Sequence, residues 1–137
     1  MPHKILALKE RPEYALALKE LIEPHGYEVL VVRTIEEAIE TVHRVPVSMV
    51  ILAVHLQDGN VFDLIRAIRV DPDSRLRRIP MVCLNLNPRL HATYLNDSLE
   101  TSAKALGADR FITMDPYDPV RLWKEIEKML PDDSPDL

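Results

Sequence analysis

The strongest constraint on this chain is a series of short, solidly apolar runs that alternate with amphipathic segments. Residues 47–54 form the most apolar run, which is long enough for a central strand. Strands that are apolar on both faces must be covered on both faces, and this is typical of parallel sheets with helical crossovers. The pattern predicts an α/β fold, a doubly wound five-stranded parallel sheet with five helices. The predicted strands are 4–8, 27–32, 47–54, 79–84 and 110–113.

Capping and turn residues set the predicted helix boundaries. A capping box at Thr34–Glu37 predicts one helix start, and the pair Asp118–Pro119 predicts another. A second capping box at 97–100 predicts a helix that begins there and ends at Gly107. Between the fourth strand and this helix, residues 85–96 are predicted to form a long loop.

Length, charge and cysteine content exclude several classes of protein. A chain of 137 residues corresponds to one domain, predicted at 1–131, followed by an acidic, disordered tail at 132–137. The net charge of −5 disfavours nucleic acid and anionic membranes as partners. The single cysteine, Cys83, excludes an internal disulfide and is predicted to be a small buried hydrophobe. No apolar run reaches the roughly 18 residues of a membrane span, and no signal-peptide pattern is present, so we expect a cytoplasmic protein.

Motifs that carry enzyme chemistry are missing from the sequence. It contains no Ser-His-Asp or Cys-His arrangement and no glycine-rich phosphate loop. Three glycines in the whole chain cannot supply a dinucleotide-binding fingerprint. We therefore expect a protein that is not an enzyme and that uses no cofactor.

Several segments, in their order and spacing, carry a resemblance to a known family. They are residues 4–8 with Pro12, 71–73 with 79–82, 107–113, and Asp118–Pro119 with Leu122. Over nearly its whole length the chain resembles the receiver domain of two-component response regulators. The resemblance implies a flavodoxin-like sheet of order 2-1-3-4-5 and a role in phosphorelay signal transduction.

The phosphorylation site of that family does not carry over to this sequence. Receivers hold magnesium with two acids after the first strand and accept phosphate on an aspartate that ends the third. A hydroxyl residue and a lysine end the fourth and fifth strands. The matching positions here are Lys9 and Glu10, Ala53, Asn85, and Met114 or Asp115. The resemblance is therefore to a degenerate, pseudo-receiver type of domain.

These replacements remove the family's chemistry. Alanine has no nucleophile, so an aspartyl phosphate cannot form at Ala53. A magnesium site needs several hard oxygen ligands, and Glu10 beside the positive Lys9 offers one carboxylate. We expect no metal site, and instead an internal ion pair of Lys9 with Glu10 or Asp115.

Neighbouring loops leave other interpretations open. His55 with Glu10 and Asp58 has the ligand types of a carboxylate–histidine metal site, although a partly hydrated loop histidine is the simpler interpretation. The loop 85–96 is longer than the family usually shows, and it either caps the vacant pocket or binds a partner. The arginines within 75–78 are predicted to lie in a solvated loop.

Aromatic residues near the end of the chain define a candidate partner face. Receivers commonly meet partners, or a second copy, through their fourth helix, fifth strand and last helix. In this sequence Phe111, Tyr117 and Trp123 fall on or beside those elements. Trp123 is either a contact residue or packing at the edge of the sheet.

The predicted function is a stand-alone, receiver-like signalling module of the two-component type. It is expected to act independently of phosphorylation, through contacts with a kinase, a regulator or a second copy in a homodimer. No output domain follows the last predicted helix, so any effect would pass through another chain. One alternative is a small-molecule sensor that uses the vacant pocket, with Lys9 and the long loop as recognition elements. Another is a phosphoacceptor at an offset carboxylate, Asp58 or Asp115.

Overall fold

A parallel sheet of five strands forms the centre of the molecule, with strand order β2-β1-β3-β4-β5. The computed structural model describes residues 3–8, 12–53, 61–85, 93–114 and 117–130. The strands are β1 (His3–Leu8), β2 (Tyr27–Val32), β3 (Met49–Ala53), β4 (Met81–Asn85) and β5 (Arg110–Thr113). All neighbouring strands pair in parallel. The predicted fold class and strand order are confirmed.

Six α-helices lie between or after these strands within the described residues, one more than predicted. They are α1 (Pro12–Ile22), α2 (Ile35–Arg44), α3 (Val61–Arg69), α4 (Ser74–Arg77), α5 (Thr93–Leu106) and α6 (Pro119–Glu127), and a 3₁₀ turn, Glu23–His25, follows α1. The capping predictions for α2 and α6 are confirmed. Thr34 accepts a hydrogen bond from the N–H of Glu37, and Asp118 accepts one from the N–H of Arg121. No helix among the described residues has both the length and the apolar character needed to span a bilayer.

One helix was not predicted, and one predicted helix start is wrong. Helix α4 is a single turn in a region predicted to be a solvated loop. It forms because Asp73 caps the N–H of Arg75 at 2.9 Å and because Leu76 is completely buried. Helix α5 begins at Thr93, four residues before the predicted start, which shortens the predicted loop 85–96. No proline or glycine lies between Thr93 and the predicted cap, so nothing in the sequence stops the helix from extending backwards.

The hydrophobic core forms two layers, one on each face of the sheet. Successive residues of β1 alternate between them: Leu6 faces one layer and Ala7 the other. The α2/α3/α5 layer contains Ala38, Val42, Leu64, Ile65, Ile68 and Ala103. The α1/α6 layer contains Leu18, Ile22, Leu122 and Ile126. The central strands therefore have apolar cover on both faces, as their sequences predict.

A single arginine fixes the amino ends of β4 and β5. The Nε of Arg69 donates to the carbonyl of Gly107, its other nitrogens donate to the carbonyl of Arg77 and to Asp109, and each distance is 2.9 Å. Asp109 also accepts the N–H of Met81 at 2.8 Å. Gly107 has φ +123°, and a Cβ there would lie 2.6 Å from the Cγ of Arg69. Glycine is therefore required both by the backbone angle and by the arginine.

An exposed histidine joins α2 to the segment after α3. The Nδ1 of His43 lies 2.8 Å from the carbonyl oxygen of Ile39, and its Nε2 lies 2.6 Å from a carboxylate oxygen of Asp71. Both partners are acceptors, so only the protonated ring can donate to both. The Ile39 carbonyl, and then the Asp71 carboxylate, raise the pKa of His43 above 6.5. The N–H of Asp73, and then His43, lower the pKa of Asp71 below 3.8.

The pair predicts a pH-dependent contribution to stability. Because the pKa of His43 is raised, the contribution of His43 to the free energy of unfolding is complete below pH 6.5. This contribution is lost as the pH rises through the folded-state pKa. Because the pKa of Asp71 is lowered, its contribution is present above pH 3.8 and is lost as the pH falls through the folded-state pKa. We expect Asp71→Asn to lower the pKa of His43, and NMR titration of the ring measures this change. The control variant Asp63→Asn should leave the pKa of His43 unchanged. A pKa of His43 at or below 6.5 in the native chain would contradict this account.

Candidate functional site

The carboxyl ends of the strands meet at one edge of the sheet, here named the carboxyl edge. Ala53 of β3 pairs in register with Leu84 of β4, and Asn85 pairs with Thr113 of β5. In doubly wound sheets, ligands bind in the crevice outside these strand ends. The structure therefore brings the predicted positions Ala53, Asn85 and Met114 to neighbouring strand ends.

Ala53 is the last residue of β3, a strand that lies between β1 and β4. This is the strand end predicted from the resemblance. A methyl side chain offers neither a nucleophile nor an oxygen ligand. Lys9, Glu10 and Asp115 lie outside the described residues, and the predicted ion pair of Lys9 remains a prediction.

Asn85 ends β4 and is completely buried. Its carbonyl oxygen accepts a hydrogen bond from the N–H of Met114 at 3.0 Å. This bond continues the β4–β5 ladder one residue beyond β5. Two of the predicted site positions are therefore in direct backbone contact.

Met114 directly follows β5 at the carboxyl edge, but its side chain packs into the core. It is 1% exposed and lies in the α1/α6 layer, the cluster that contains Leu122 and Ile126. The N–H of Asp118 lies 3.3 Å from its sulfur, beside the N-cap of α6. The family's lysine has two candidate positions in this sequence, and position 114 is occupied by a buried apolar side chain.

The burial of Met114 predicts a large effect of a lysine at this position. Met114→Lys would place an ammonium group among apolar side chains, and we expect the free energy of unfolding to fall by about 3 kcal/mol or more. Met114→Leu keeps the apolar volume and is expected to cost less than about 1.5 kcal/mol. Urea denaturation measures both. A lysine variant as stable as the native chain would show that position 114 opens onto the carboxyl edge.

Two of the described strand ends, Ala53 and Met114, supply no side-chain ligand for a magnesium ion. Ala53 has no side-chain oxygen, and the side chain of Met114 carries a soft sulfur, whereas magnesium takes hard oxygen ligands in octahedral geometry. Among the residues that the structure describes, no group of three or more His, Cys, Asp or Glu side chains could hold a metal ion. The alternative site of His55, Glu10 and Asp58 lies outside those residues.

Phe111, Tyr117 and Trp123 do not share one surface. Phe111 is 9% exposed and lies in the α2/α3/α5 layer. Tyr117 and Trp123 are partly buried against the α1/α6 layer, on the other face of the sheet. Burial, and then the negative charge of Glu20 on α1, raise the pKa of Tyr117. These three side chains therefore pack in two layers of the core, and the partner face stays a prediction.

Trp123 packs against the turn that follows α1. Its ring stacks on His25 with a centroid separation of 3.9 Å and an interplanar angle of 8°, and it lies 6.1 Å from the ring of Tyr27. The stack ties α6 to the beginning of β2. Because the two rings are far apart in the chain, sequence periodicity gives no signal for this contact.

Cys83 is a buried core residue of β4, as predicted. Burial raises the pKa of its thiol to about 12. The thiolate, which is the reactive form of cysteine, is therefore disfavoured at neutral pH.

Solved structures with the same fold are receiver domains of two-component systems. One is the chemotaxis response regulator CheY4 of Vibrio cholerae, with a TM-score of 0.77 and 20% identity over 95% of this chain and 100% of that chain. Another is the signal receiver domain of a signal transduction histidine kinase from Syntrophus aciditrophicus, with a TM-score of 0.76 and 26% identity over 98% and 95% of the two chains. A two-component response regulator from Clostridium difficile has a TM-score of 0.75 and 20% identity over 93% and 94%.

At these identities the likeness shows the fold. No protein-family model matches the chain, and no curated protein sequence does. The chain thus has the architecture of response regulator receivers, and the chemistry of its own residues must decide how that architecture is used.

Proposed function

We propose that this chain is a receiver-like signalling module of the two-component type that works without phosphorylation. In this proposal it is not an enzyme, and it acts through contacts with other proteins. The observation that carries the proposal is the receiver architecture combined with alanine at the end of β3. The strand end on which receivers would carry the phosphoacceptor has no group that can accept phosphate.

The neighbouring strand ends support the same proposal. Where receivers have a hydroxyl residue at the end of the fourth strand, this chain has the buried amide of Asn85. At one of the two positions that match the family's lysine, Met114 is packed into the core. A phosphoryl group needs cationic and metal partners to offset its charge, and none of these three side chains supplies one.

Protein contacts are a use of the receiver fold that does not depend on the strand-end chemistry. Receiver domains typically interact with kinases or other regulators. A sheet with helices on both faces keeps the outer surfaces of those helices when the chemistry at the strand ends is lost, so these surfaces stay available for contacts. Among the described residues, Leu16 on α1 and Val120 on α6 are more than half exposed. We propose a kinase, a regulator or a second copy of the chain as the partner.

Intact-mass spectrometry after incubation with acetyl phosphate and magnesium tests the phosphorylation part of the proposal. We expect no mass increase for the native chain, because Ala53 has no carboxylate to attack the donor. The Ala53→Asp variant is the matched control, since it restores a carboxylate at the same strand end. A gain of one phosphoryl group by the native chain would contradict the proposal and would direct attention to Asp58 or Asp115.

Capture from a cell lysate on the immobilised native chain tests the contact part. We expect the same specific proteins to be retained before and after treatment with acetyl phosphate. Failure to retain any specific protein, together with a monomeric state in analytical ultracentrifugation, would contradict a role in protein contacts.

A further inference from the structure

A groove of about 320 Å³ opens at the amino ends of β4 and β5, and we name it the amino-edge groove. Its lining residues are Arg78, Pro80, Asp109, Arg110 and Met129. Pro80 directly precedes β4, Arg110 begins β5, and Met129 follows α6. Because the sheet is parallel, this groove lies at the opposite edge from Ala53 and Asn85.

Of the two arginines that line the groove, Arg78 lacks an ion pair to any residue that the structure describes. Arg78 is exposed, and its guanidinium has no ion pair within the part of the chain that the structure describes. The carboxylate of Asp109, which also lines the groove, pairs with Arg69 rather than with Arg78, and the same oxygen accepts the N–H of Met81. A guanidinium without an ion pair is available to an external anion.

The other ionic groups at the groove add positive charge. Arg110 pairs with Glu125 of α6, and Lys128 approaches the same carboxylate at 3.5 Å. Among the residues that line the groove, two arginines, Arg78 and Arg110, stand against the one carboxylate of Asp109. This excess lies on a chain whose overall net charge is −5, so the groove is a local reversal of sign.

Apolar atoms and fixed walls complete the groove. Pro80 and Met129 contribute apolar surface beside the arginines. Arg69 holds one wall in place by joining Asp109 to the carbonyls of Gly107 and Arg77. Preformed walls lower the ordering cost of binding. A free inorganic anion would leave the apolar part unused, whereas a peptide can fill both parts.

We propose that the amino-edge groove binds an acidic peptide segment of a partner protein. In this arrangement a carboxylate of the segment pairs with Arg78, and an adjacent apolar side chain packs on Pro80 and Met129. The inference rests on the proposed function, which it deepens by naming the partner's chemistry and its place on the fold.

Fluorescence anisotropy on the full chain tests the inference. The probe is a fluorescein-labelled peptide, Glu-Asp-Leu-Glu-Asp-Leu-Glu, with a second peptide that carries Gln and Asn in place of the acids. We expect the acidic peptide to bind the native chain and the neutral one not to bind. Arg78→Gln should weaken binding about tenfold, the loss expected for one charge-assisted hydrogen bond.

Arg121→Gln is the matched control. It removes one exposed arginine from the first turn of α6, the end of the helix remote from Met129, and should leave the affinity unchanged. Equal weakening by both variants would overturn the inference, because it would indicate attraction to net charge alone. Absence of binding to the native chain at low salt would also overturn it.

The acidic residues near the end of this chain provide one more control in the binding experiment. A full-length variant with Asp132→Asn, Asp133→Asn and Asp136→Asn should bind the probe at least as well as the native chain. Binding by this variant alone would mean that the groove is occupied by this chain's own carboxylates, which would overturn the partner assignment. None of these outcomes alters the phosphorylation test, since Ala53 and the groove lie at opposite edges of the sheet.

Discussion

The need to bury both faces of the central strands governs the rest of this molecule. Residues 5–8 of β1, residues 49–52 of β3 and all of β4 are buried, so each face of the sheet requires its own layer of helices. Helical crossovers then return every strand in the same direction. The strands thus end together at one edge and begin together at the other, and the sheet has two chemically distinct edges.

The sequence could predict this frame because the frame depends on local patterns. The apolar runs placed all five strands, and the caps at Thr34 and Asp118 were correct. Helix α4 was missed because a single turn is held by the burial of Leu76 in distant core, which no local periodicity reports. The start of α5 was misplaced because capping residues also occur inside helices.

The site positions were predicted from the family resemblance as well as from the sequence pattern, and the structure describes three of them, Ala53, Asn85 and Met114. Ala53 and Asn85 lie at the strand ends where the resemblance put them. Met114 instead turns into the α1/α6 layer, because strand alternation places it on the same face as Ile112. The same alternation separates Phe111 from Trp123. The amino-edge groove was not predicted at all, since it combines residues just before β4, at the start of β5 and just after α6 that only the tertiary fold brings together.

The central claim is that the carboxyl edge keeps the receiver architecture without its phosphate and magnesium chemistry. Titration of the isotopically labelled chain with magnesium chloride, followed by the amide resonances of Ala53, Asn85 and Met114, tests this claim most directly. We expect no saturable shift of these resonances at concentrations on the order of millimolar, because their side chains supply no set of hard oxygen ligands. Saturable shifts confined to these three strand ends would contradict the account and would restore a metal-dependent receiver.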